Sequence, residues 1–308
     1  MSGICECGSP LRTLGSPNCA VTIGRSYMDV FVNTYNADGT LYELDLSSNP
    51  ALDSAYFAAL IAAGATNQWN VSPVIMNGES ERADAKTESF NNDTVMEYVQ
   101  NGMKSVKGVW VKSPANISNT LLGWNCSFIS VFRITDLGQI VGLKGSGWQK
   151  IRPIKIQKGS FQSKLVEQSN TNINVQKTMF QFNWEAGECD NELVTIEPSS
   201  FASGYDIKSL KGLVQVDLEP HLVNTATTVK VAANTNQGSL LNPILVTGLV
   251  AGDFTVTNRT TGAAVTISGV TEISGKYVIT YTSQTGNLLA LTCTKTGYQF
   301  ATYNYTSN

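Results

Sequence analysis

The chain has 308 residues, 42% of them hydrophobic and 9% aromatic, enough for two domains with real cores. Only 15% are charged, against roughly 25% in a typical soluble domain, and 21 Lys and Arg against 24 Asp and Glu leave a net charge of −3. That excludes an electrostatic grip on nucleic acid, and a lone histidine, His221, excludes a histidine metal cluster within one subunit.

No apolar run approaches the roughly 18 residues of a membrane span. The start, Met1-Ser2-Gly3-Ile4-Cys5, lacks the basic and apolar regions of a signal peptide, so export by that route is not expected. Walker A, Rossmann, Gly-x-Ser-x-Gly and His-Glu-x-x-His patterns are absent, and no carboxylate pair stands out. The expectation is a non-enzyme with no catalytic residue, no cofactor and no metal.

Residues 1–20 are rich in Gly, Ser, Pro and Cys and read as an arm. Cys5-x-Cys7 with Cys19 offers three thiolates, but one intervening residue is too tight for the usual zinc knuckle and no fourth ligand lies near. Reduced thiols are expected there, and Cys126, Cys189 and Cys293 read as small buried hydrophobes. Asp29–Asn36 and Leu41–Leu46 flank Ala37-Asp38-Gly39-Thr40, which predicts a hairpin.

Pro50–Gly64 carries Leu52, Ala55, Tyr56, Ala59, Leu60 and Ala63 at helical spacing. Ser48 or Asn49 is the expected N-cap and Gly64 the stop, for a helix lying on a sheet. The polar run Asn77–Glu88 follows a strand-like Val71–Met76 and reads either as a solvated loop or as a subunit-contact arm. Its charged residues Glu79, Glu81, Arg82, Asp84, Lys86 and Glu88 are the candidate contact set. Asp93–Gln100 fits a helix or a strand equally well.

Strands then come in quick succession: Lys104–Lys112, Trp124–Ile134 with Gly138–Leu143 around a turn, Pro153–Gln157, Ser160–Gln168 and Val175–Trp184. They predict a mainly β protein, an antiparallel β-sandwich or barrel with one flanking α-helix over residues 21–215. From Val216 the chain has no tryptophan, and short alternating strands recur at Thr228–Ala232, Ile244–Val246, Phe254–Asn258, Ala264–Ile267, Tyr277–Thr282, Leu288–Thr294 and Gln299–Tyr303. That rhythm predicts an immunoglobulin-like sandwich over 216–308. Asp217, Glu219, Asp253 and Glu272 balance Lys230, Arg259, Lys276 and Lys295, so this part is neutral.

Gly15 to about Glu197 resembles structural proteins of tailed bacteriophages, in particular tail tube proteins. The residues that carry the resemblance are Ser80-Glu81-Arg82-Ala83-Asp84, Tyr98–Gly108, Leu121-Leu122-Gly123-Trp124-Asn125-Cys126 and the aromatic-ended Met179–Trp184. An immunoglobulin-like domain at the C-terminus is a frequent decoration of such proteins, and Gly252–Tyr298 looks like one. The resemblance implies a virion protein of the tail, assembled in the host cytoplasm, that forms usually hexameric rings with itself. Other tail or head-completion proteins would be its partners, and DNA would pass through the lumen without specific binding.

A mildly acidic subunit suits such a lumen, because each basic contact to phosphate would add affinity through counterion release. Two other readings stand beside it. One is a capsid-decorating or head-fibre protein. The other is a secreted adhesive or carbohydrate-binding protein, favoured by exposed tryptophans and by the sequons Asn70-Val71-Ser72 and Asn125-Cys126-Ser127, with the missing signal peptide against it.

Overall fold

The computed structural model describes residues 23–63, 67–84, 86–90, 95–100, 102–111, 122–166, 177–188, 190–235, 237 and 242–308. The arm at 1–20 with its three cysteines, Gly64 and Cys189 lie outside them. The protein is mainly β and divides into two compact units, Met1–Gly212 and Leu213–Asn308.

The first unit runs β1 Ser26–Asn33, β2 Leu44–Asp45, α1 Ser54–Ala62, β3 Asn70–Val71, β4 Ile75–Arg82, β5 Lys86–Phe90, β6 Val95–Gln100 and β7 Lys104–Val111. It continues through β8 Ile129–Thr135, β9 Ile140–Lys144, β10 Lys150–Arg152, β11 Ile154–Lys155, β12 Gln162–Val166, β13 Lys177–Asn183 and β14 Leu193–Ile196. An eight-stranded sheet has the order β2-β10-β9-β8-β1-β3, with β11 on β8 and β14 on β9. A four-stranded sheet has the order β12-β13-β7-β4, and among the described residues β5 pairs with β6 alone.

Central strands β1 and β8 are buried on both faces, which is why Val30-Phe31-Val32 and Val131-Phe132 are unbroken apolar runs. Phe31, Val131 and Leu143 face the second sheet's Ile75, Val106, Trp110, Phe180 and Phe182. On the opposite face Phe132 meets Trp69 at 5.5 Å, Trp69 meets Phe57 of α1 at 5.6 Å, and Trp69 Nε1 donates to the Tyr42 hydroxyl at 3.0 Å. The result is three layers, with the helix flanking a β-sandwich.

Several local expectations are corrected. The helix starts at Ser54, because Asp53 is the N-cap and accepts from Tyr56 N at 2.9 Å, while Asn49 sits in a turn at φ 49°. The Asn36–Thr40 turn forms, but its hairpin stops at the Tyr35–Leu41 bridge. β8 and β3 already occupy both sides of β1, so β2 pairs with β10 instead. Within Asn77–Glu88, the residues up to Arg82 belong to β4 and those from Lys86 to β5, paired with β7 and β6 rather than forming a solvated loop. Val95–Gln100 is a strand, and Leu122–Ser127 turns before β8 begins, which leaves Cys126 exposed rather than buried.

In the second unit lie β15 Val214–Pro220, β16 Thr228–Thr235, β17 Phe254–Asn258, β18 Ala264–Val265, β19 Ile267–Ile273, β20 Lys276–Tyr281, β21 Leu288–Cys293, β22 Tyr298–Phe300 and β23 Tyr303–Thr306. One sheet has the order β19-β20-β16-β15-β22 and the other β18-β17-β21-β23. Strands β15, β16, β20 and β19 take the A, B, E and D places of an immunoglobulin-like sandwich, and β17, β21 and β23 take C, F and G. Alternation is strict in β16, where Val229, Val231 and Ala233 point inward. Ile244–Val246 makes a single bridge from Leu245 to Asn234 rather than a strand, and Pro220 ends β15.

Candidate assembly surface

β4 is the last strand of its sheet, so its outer backbone edge has no strand partner among the described residues. An extra residue at Asn77-Gly78 bulges it between the Met76–Val109 and Glu79–Lys107 pairs, with Asn77 at φ 50°. Charge and a bulge guard a free edge against indiscriminate pairing, which leaves it to a partner that matches both.

The candidate contact residues fall into different roles. Glu79 is exposed and pairs with Lys107 at 2.8 Å, while Glu81, opposite Ser105, and Asp84 are exposed. Lys86 and Glu88 occupy β5, opposite Gln100 and Glu97 in register. Arg82 turns back on its own unit: it bonds Asp190 at 2.9 Å, the Gly102 carbonyl at 2.8 Å and the Glu188 carbonyl at 3.1 Å. Lys104 also bonds Asp190 and lies 4.1 Å over the Trp184 ring. Burial alone would raise the Asp190 carboxyl, but Arg82 and Lys104 outweigh it and hold it below the usual range. Arg152 makes a parallel tie, bonding both Glu188 oxygens at 2.9 Å and Glu192 at 2.9 Å.

Sequence reasoning missed a second polar feature, inside the sandwich. Asp29 and Arg133 stand directly opposite on β1 and β8, yet Arg133 Nε is 3.7 Å from Asp29 Oδ1. Both Asp29 carboxylate oxygens, Arg133 Nε and Nη2, and Ser26 Oγ are buried without a hydrogen-bond partner. Burial pushes the Asp29 carboxyl up to about 6, against the pull of Arg133 and Ser26. Beside them opens a cavity of about 200 Å³, walled by Ile75, Val106 and Phe180 on one side and by Ser26 and Arg133 on the other, with Glu79 and Lys107 also lining it. Its parts lie far apart in the chain, so no sequence motif announces it.

Among the described residues no group of three metal-ligating side chains forms, and no helix is long and apolar enough to cross a membrane. Burial raises the Cys293 thiol to about 12, which keeps it protonated and packed in the second core. Comparison with protein-family models, curated proteins and solved structures finds no match.

Proposed function

We propose that this chain is a structural subunit of a tailed-phage virion, a tail tube protein that assembles with itself into stacked rings around a DNA channel. The observation that carries the reading is the free edge of β4, a polar strand closing one side of a three-layer β unit. Joining such an edge to a neighbouring sheet removes the edge, as closure does in a barrel. The β5–β6 pair, next in sequence, offers further strand backbone to a neighbour. The low charged fraction also suits permanent subunit contacts, whose buried centres are poor in charged residues.

Negative-stain electron microscopy of the purified chain tests this. Rings or stacked rings with an open centre are expected. A monomer that binds only a preformed capsid shell would point to decoration instead.

A further inference from the structure

Five tryptophans are present, and one of them differs from the rest in its exposure. Trp69, Trp110 and Trp184 are buried, whereas Trp148 is 85% exposed at the tip of the β9–β10 turn. That turn is not loose. Glu43 accepts from Ser146 N and from Ser146 Oγ, both at 2.7 Å. Gly145 N donates to Lys150 O at 3.0 Å, Leu46 N donates to Gln149 O at 2.9 Å, and Lys150 pairs with Asp45 at 3.2 Å. Gln149 takes φ 58° to close it. A large apolar side chain held out on a fixed turn loses little entropy on binding, which is how interface anchors work.

The cavity beside Arg133 has matching chemistry. A cavity of about 150 Å³ admits benzene, so one of about 200 Å³ has room for the larger indole. Ile75, Val106 and Phe180 supply apolar wall, and the Arg133 guanidinium supplies the cation that favours an aromatic face.

Strand register separates the two features. Arg133 pairs with Val141 and Ile134 with Ile140, so the cavity lies towards the end of the sheet where β8 turns into β9. Lys144 pairs with Ile151, so the Trp148 turn lies at the opposite end. A projection and a recess on different surfaces cannot satisfy each other within one sheet. They suit a head-to-tail contact, which closes rings or builds stacks.

We infer that Trp148 of one subunit seats in the Arg133 cavity of the next copy of this chain. The inference rests on the self-assembly reading and names the contact. Ser80, exposed at the cavity, is the place to plug it with Ser80→Trp, or with Glu79→Trp should that chain melt early.

Sedimentation over a range of concentrations tests the contact in the full chain. Trp148→Ala should keep the parent's melting temperature and associate about a hundredfold more weakly, the loss expected for a central tryptophan anchor. The plugged variant should behave alike. Mixed, the two should form a complex more tightly than either variant self-associates, because each retains the half of this contact that the other lacks. Unchanged assembly of Trp148→Ala, or no complex on mixing, overturns this contact while leaving self-assembly intact. A parent chain that stays monomeric throughout sinks the self-assembly reading itself.

Discussion

The first unit seals an Asp29–Arg133 pair between its sheets, while the buried core of the second unit is Val, Leu, Ile, Phe, Tyr, Ala and Cys. In that second core the Tyr277 hydroxyl donates to Val246 O at 2.8 Å and accepts from Leu249 N at 3.3 Å, while the Tyr305 hydroxyl is buried without a partner. In the first unit the charged pair is left 3.7 Å apart with unpartnered atoms, next to a cavity and near a free strand edge. Buried charge without full pairing costs stability. The second unit leaves only neutral groups unpartnered among its described residues, Asn234 Oδ1 and Tyr305 Oη, so the two units differ in buried charge rather than in unpaired atoms as such.

The largest expected effect tests whether the two cores are separate. Trp110 is fully buried and stacks on Phe180 at 4.2 Å, so Trp110→Ala should cost about 3–5 kcal/mol. Calorimetry of the full chain should show one transition lowered and the transition of residues 213–308 held in place. A single transition moving as a whole would break the comparison.

A smaller effect follows from Asp29. Its folded carboxyl, raised to about 6 from 3.8, binds its proton more tightly than in the unfolded chain. The folded state therefore gains from protonation at low pH and loses that gain as pH rises from about 4 to 6, by roughly 3 kcal/mol at 1.36 kcal/mol per pKa unit. Asp38, Asp45 and Asp190 are shifted the other way and lose their contribution only as pH falls through the acid range, below this window. Melts between pH 4.5 and 6.5 should show the first unit weakening with rising pH, and Asp29→Asn should flatten that slope. A first unit that strengthens over the window would contradict the burial argument.

The smallest effect separates tie from contact along β4. Arg82→Ala removes three bonds within its own unit and should lower that unit's stability by about 1–2 kcal/mol. Glu81→Ala, on an exposed side chain, should stay within about 0.5 kcal/mol in the same melts. Equal losses would mean that both residues serve the fold alike.

How far the sequence could be read depended on burial. Strands with one face inward announced themselves: β7 alternates through Val106, Gly108 and Trp110, and β16 through Val229, Val231 and Ala233. β4 did not, because an exposed edge strand takes its shape from hydrogen bonds to β7 rather than from an apolar pattern. β19 was hidden by its exposed and half-exposed residues and by the irregularity near Gly269. The helix was visible but its start was not, since Asp53 and the earlier Ser48 and Asn49 are all plausible caps until the backbone chooses. The Arg133 cavity depends on register between strands distant in sequence, and Trp148 looks like any other tryptophan until its exposure is known.

The central claim is that self-assembly belongs to the first unit. Sedimentation of residues 1–212 and 213–308, made as separate chains and run side by side, tests it most directly. The account predicts a multi-subunit species for 1–212 and a monomer for 213–308. A monodisperse monomer for 1–212 at high concentration, or assembly carried by 213–308 alone, would contradict it.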